Sequence, residues 1–170
     1  YSHSNDISKE SLRKSSENLK DTLKSKKGTY NHEIPKTNSK YYENINPIES
    51  KTFDSKIDLL NSVNNYLRSK GSIVNQVTAN FLGEHKSIEI IRSDNQVLKD
   101  DRPLVRFNVS VVLEKDGKKE TGVYGVGGRQ SYDDYLKDGS WKDVCDEAFR
   151  IANVNLESKP APAGEMKVVL

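Results

Sequence analysis

Val105-Arg106-Phe107-Asn108-Val109-Ser110-Val111-Val112-Leu113 is the stretch that decides the fold. Val105, Phe107, Val109, Val111 and Leu113 recur every second residue, and Arg106, Asn108, Ser110 and Glu114 fall on the opposite face. A period of two over this length predicts a β-strand with one face in a core and one in water. Asp116-Gly117 follows. This dipeptide favours a type I′ turn, whose two positive φ angles match strand twist, so a partner strand is expected from Lys119 to Tyr124. Upstream, Val97 to Asp100 reads as a short separate strand. Val77, Ala79 and Phe81 alternate with polar residues, and Gly83-Glu84 is expected to reverse the chain into a strand near 86–92.

Helical periods flank these strands. From about Asp54, Ile57, Leu60, Val63 and Leu67 lie on one stripe, and Gly71 suits the left-handed position after the helix end. Ser140 and Asp143 resemble a capping box that opens a helix with Val144, Ala148, Ile151 and Ala152 inward, stopped by Pro160 and Pro162. The expected class is α+β: an antiparallel sheet covered by helices, with an extra N-terminal helix and linker. That extra helix covers 9–26. Ser8 is its cap, Leu12, Leu19 and Leu23 form a thin apolar stripe, and Glu10 stands four residues before Lys14. The expected units are a tail helix of a truncated N-terminal domain at 1–26, a linker at 27–51 containing Pro35 and Pro47, a central α+β domain at 52–158, and the start of a further domain at 159–170.

Composition narrows the function classes. The 170 residues are 34% hydrophobic and 31% charged, with a formal net charge of +2 and a mean hydropathy of −0.79. This suits one modest domain with a looser attachment. Lys and Arg alternate with Asp and Glu and form no basic stripe, which speaks against a nucleic-acid partner. The single cysteine, Cys145, cannot form a disulfide within the chain, so a reducing compartment, the cytoplasm, is the expectation. No run approaches the roughly 20 apolar residues of a membrane span, and the N-terminus lacks the layout of a signal peptide. A start at Tyr1 and an end in Val168-Val169-Leu170 read as those of a fragment.

Few residues suggest chemistry directly. His32-Glu33 is the one His-Glu pair, but Lys36 and Thr37 stand where a second histidine would be needed, and Pro35 breaks the helix that would carry both. His3 and His85 have no thiol or carboxylate at ligand spacing. Cys145 lies among Asp143, Asp146 and Glu147, which raise a thiol pKa, so it reads as a packing residue. Gly125-Val126-Gly127-Gly128-Arg129 follows a strand, yet Gln130 stands where a dinucleotide fingerprint needs a third glycine, and no Gly-Lys-Ser/Thr is present. Three readings remain: a turn with positive φ or close backbone packing, a phosphate loop, and a backbone that meets an extended peptide. Arg102 and Arg106 are separated by an even number on one strand, opposite the side of Val105, Phe107 and Val109. With Arg129 they are expected to face one groove that contacts a peptide or a partner subunit, together with Tyr124, Gly125, Gly127 and Gly128. The competing reading pairs these arginines with Asp100, Asp101 or Asp133 as surface support.

The order and spacing of four segments resemble the middle region of the TldD/PmbA family of bacterial metallopeptidases. These are Arg102-Pro103-Leu104-Val105-Arg106-Phe107-Asn108-Val109-Ser110-Val111, the Glu-Lys-Asp-Gly hairpin at 114–117, Gly122-Val123-Tyr124-Gly125-Val126-Gly127-Gly128-Arg129, and Lys159-Pro160-Ala161-Pro162-Ala163-Gly164. Weaker similarity reaches back through 54–93 to the first helix. Val126 departs from the family's run of glycines. The resemblance implies a cytoplasmic peptidase that pairs with a PmbA/TldE-like paralogue or with itself and cuts unfolded peptides in an enclosed cavity. It also implies a metal, expected to be zinc, held by a His-Glu-x-x-x-His motif and a later cysteine. That motif would fall beyond Leu170, so no ligand transfers to this chain, which is expected to be a non-catalytic scaffold. Family members have also been labelled modulators of DNA gyrase, which implies an alternative: a stand-alone module binding a protein such as gyrase or nucleic acid.

Overall fold

The computed structural model describes residues 1–23, 41–92, 97–136, 139–161, 163–165 and 167. His32, Glu33, Pro35, Pro162 and the run Val168 to Leu170 lie outside them. The chain divides into two compact units, Tyr1–Thr37 and Asn38–Leu170. In the first, helix α1 spans Lys9–Leu23, and residues 24–26 of the expected helix are outside the described set. Ser8 caps it as expected, its Oγ accepting a bond from the Ser11 amide at 3.2 Å.

The second unit runs α2 (Phe53–Arg68), β1 (Val74–Ile91), β2 (Val97–Lys115), β3 (Lys118–Gly128), α3 (Asp133–Leu136) and α4 (Ser140–Glu157). The three strands form an antiparallel sheet in the order β1-β2-β3, and the class is α+β as expected. Strand β2 is its centre. Val105, Phe107, Val109, Val111 and Leu113 are almost fully buried. Val63 and Leu67 of α2 and Val144, Cys145, Ala148 and Ala152 of α4 complete the core on that face. On the other face Leu82 is 57% and Val123 58% exposed, so among the described residues that side of the sheet is open. The β2–β3 turn has φ of 53° at Asp116 and 80° at Gly117, as a type I′ turn requires.

Several boundaries differ from expectation. No turn forms at Gly83-Glu84, and β1 continues straight through to Ile91, paired with β2 down to Ile91↔Val97. Gly83 serves close approach: a Cβ there would stand 2.3 Å from the Tyr132 hydroxyl. Likewise Val97 to Asp100 is not a separate strand but the start of β2, because Pro103 has a place inside a two-stranded stretch. Strand β3 pairs only from Lys118 to Gly128, so the outer halves of β1 and β2 project as a ribbon. The first turns of α2 miss the core, leaving Ile57 exposed. In α4, Cys145 is fully buried while Ile151 is only half-buried.

The Ser140–Asp143 capping box is absent. Gly139 occupies the N-cap with φ of 77° and no side-chain cap bond, and Ser140 Oγ donates to the Tyr135 carbonyl at 2.8 Å. At the other end of α4, Lys118 Nζ donates to the carbonyls of Asn155 (2.8 Å), Leu156 (3.0 Å) and Ser158 (3.3 Å), placing a cation on the negative pole of the helix. Helices α2 and α4 are clasped by Tyr66, whose hydroxyl donates to Asp146 at 2.9 Å, and by Lys70, which pairs with the same carboxylate.

Helix α4 lies so close to β3 at Gly122 that a Cβ there would sit 2.0 Å from the Ala148 carbonyl oxygen and 2.5 Å from the Ala152 nitrogen. Gly122→Ala should therefore destabilise by about 3 kcal/mol, the upper range for overpacking. Gly128→Ala, whose Cβ would meet nothing closer than 3.5 Å, should change stability far less. Urea unfolding of both variants checks this. At Asp146, burial pushes the carboxyl upward, but hydrogen bonds from Lys70 and Tyr66 and the charges of Lys70 and Lys142 outweigh it and hold the pKa below its ordinary value. A depressed carboxylate adds stability that is complete above the unfolded-state pKa and lost as pH falls through the folded one. Asp146→Asn should thus cost under about 1 kcal/mol at pH 7 for this half-exposed pair, and the gap from wild type should close below about pH 4.

Candidate functional site

The alternation of β2 places Arg102, Arg106 and Asn108 on the open face. There Arg106 Nε donates to Asn108 Oδ1 at 2.8 Å, and Asn108 Nδ2 donates onward to Asn80 Oδ1 at 3.1 Å. This polar chain crosses from β2 to β1 and also explains the glycines of β3. Gly125 pairs with Asn108, and a Cβ on it would stand 2.2 Å from Asn108 Oδ1. At Gly127 a Cβ would come 2.7 Å from the Val105 carbonyl. Gly125, Gly127 and Gly128 are all strand residues, none with positive φ. The turn and phosphate-loop readings therefore give way to strand pairing, with close packing at Gly125 and Gly127.

Arg102 pairs with Asp100 across a short Nε–carboxylate contact, which is the surface-support arrangement. Tyr124 lies on the covered side of the sheet, in a cavity of about 370 Å³ with Phe107, Val126 and Trp141. Arg129 lies elsewhere again. Its guanidinium stands 5.3 Å over the Tyr42 ring in a cleft that it shares with Pro103, a residue buried on the covered side of β2. Arg102 and Arg106 face outward from the sheet, whereas the cleft lined by Arg129 includes neither of them.

The Arg129 cleft contains residues that sequence reasoning missed. Tyr41, Tyr42, Ile45 and Ser50 form one wall, and Gln130, Ser131 and Asp133 the other. Residues 41–51 were expected as linker, yet Pro47 is fully buried and Lys51 pairs with Asp133 at 2.7 Å. The adjacent apolar residues Tyr41-Tyr42 and Pro47-Ile48 are the signal that this stretch packs.

Residues 46–156 match the PmbA/TldA metallopeptidase central domain. The chain is 35% identical, over its whole length, to 37% of the "Metalloprotease TldD homolog" of Buchnera aphidicola subsp. Acyrthosiphon pisum. It is 41% identical over 76% of its length to the protein of the same name from Haemophilus influenzae, of which that stretch is 28%. It is also 33% identical over its whole length to the homologue of Buchnera aphidicola subsp. Schizaphis graminum, again covering 37% of that protein. The chain belongs to the PmbA/TldA metallopeptidase family and carries its central domain. Within the family it is similar to TldD, and it spans well under half the length of these relatives.

A metallopeptidase family implies a metal, but the described residues do not fit one: no three His, Cys, Asp or Glu side chains stand together at ligating distance. No described helix is long and apolar enough to cross a membrane. Cys145 is a free, buried cysteine. Burial pushes its thiol up to about 12, the Asp146 carboxylate adds to the rise, and Lys70 opposes it. In the native protein Cys145 should resist a thiol-specific disulfide reagent at pH 8, and in urea it should react at the rate of a small-molecule thiol. Rapid labelling of the folded chain, followed by absorbance, would contradict the burial described here.

Proposed function

We propose that this chain is the non-catalytic scaffold of a TldD-like peptidase, serving to hold unfolded peptide or the partner subunit while the metal chemistry resides in the part of the relatives' length it does not span. The observation that carries this reading is the central-domain match over residues 46–156, and the open sheet face beside it is the surface that such a scaffold would use. That face presents Arg106 and the polar chain to Asn80. Along Gly125 to Gly128 the outer edge of β3 makes no backbone hydrogen bond to another element among the described residues, and a sheet edge of this kind accepts an added strand. The intact protein would hydrolyse unfolded peptides in the cytoplasm with zinc, paired with a PmbA/TldE-like paralogue or with a second copy.

The full-length protein should cleave fluorescently labelled unfolded casein, lose that activity in excess chelator, and regain it on zinc addition. The 170-residue chain should release no label above a heat-inactivated control under any of these conditions. Zinc-dependent cleavage by the chain alone would overturn the scaffold reading. Strong, salt-dependent retention of DNA in a gel-shift titration would favour a nucleic-acid module instead.

A further inference from the structure

We propose that the cleft between the Tyr41–Ser50 segment and the end of β3 binds a carboxylate of a peptide through Arg129. This rests on the peptide-holding reading above and names the group recognised. The cleft is about 460 Å³, a size that takes one or two residues of a ligand. Pro103 and Ile45 are among its apolar lining residues, and Ser50, Gln130 and Ser131 add polar side chains.

Arg129 is the cation of this cleft, and among the described residues no acid pairs with it. Elsewhere Arg13 pairs with Glu17, Arg102 with Asp100 and Arg150 with Glu147, and Arg68 and Arg106 donate to asparagine oxygens. The contact of Arg129 is the face of Tyr42, 5.3 Å away. A guanidinium drawn to the face of an aromatic ring spends no N–H donor on that contact, so its planar fork stays available for a two-oxygen acceptor. Two acids line the same cleft. Asp133 pairs with Lys51 at 2.7 Å, Glu43 is exposed, and among the described residues neither forms an ion pair with Arg129, whose contact is the Tyr42 ring. A carboxylate satisfies two guanidinium donors at once.

The test uses the 170-residue chain without metal and three N-acetylated tetrapeptides: one with a free C-terminal carboxylate and no acidic side chain, its C-terminal amide, and an amide with one internal glutamate. Binding is followed by NMR titration, including the Arg129 side-chain Nε–H. The free acid, the glutamate peptide or both should bind at least about tenfold more tightly than the plain amide and move the Arg129 signal. Which of the two binds identifies the source of the carboxylate. Arg129→Gln should reduce binding to the level of the amide. Arg129→Lys should recover only part of it, because the planar fork is gone, and Tyr42→Leu should weaken it with no change in melting temperature. The proposal is overturned if acid and amide bind alike, if none binds, if Arg129→Gln has no effect, or if acetate alone binds as tightly as the peptides. No turnover enters this measurement. A full-length protein that fails as a peptidase would sink the functional reading and leave this site standing, whereas failure here would leave the peptidase reading intact.

Discussion

A slip of β2 by one residue would put Arg106, Asn108 and Ser110 where Phe107, Val109 and Val111 now lie, and the rest of the structure depends on that slip being forbidden. Side chains alternate strictly along a strand, so the register is all or nothing. Sinking the Arg106 guanidinium beneath α2 and α4 with no carboxylate to meet it would cost several kcal/mol. Both neighbours take their position from this strand. Phe107 aligns Phe81 on one side and Val126 on the other, with the Phe81 and Phe107 rings stacked at 4.4 Å. Asn108 sets the open face in the same way, reaching Asn80 on β1 and excluding any side chain from position 125 on β3.

This explains how so polar a chain folds. Among the described residues the sheet is covered on one side only, and polar residues occupy its other side and the projecting ribbon, where Glu84, Lys86, Glu89 and Lys99 form exposed ion pairs. Such pairs contribute little stability individually. Their effect is to keep a long two-stranded ribbon soluble and to give its free edge a mixed charge that discourages indiscriminate strand pairing.

What could be read in the sequence was whatever depends on neighbours in the chain. The alternation of Val105 to Leu113, the Asp116-Gly117 turn, the even spacing of Arg102 and Arg106 and the inert character of Cys145 are all local properties. The misread features have their causes far off in sequence. Gly83 looks like a turn until Tyr132 is seen against it. Gly125 and Gly127 look like a loop until Asn108 and the Val105 carbonyl are in place. The position of Arg129 depends on Tyr42, which arrives from a segment whose polar composition suggested a linker. A capping box at Ser140 was plausible locally, but the preceding turn claims that hydroxyl through Tyr135.

The contact of Lys118 with the end of α4 has a mechanical meaning. A helix that ends in solvent frays when its following segment is tugged. Here the last carbonyls of α4 are tied to the tip of the β2–β3 hairpin, so tension entering along the Lys159-Pro160 segment is passed to a two-stranded element whose hydrogen bonds share the strain. The chain therefore leaves Ser158 from a point tied to the hairpin rather than from a free helix end.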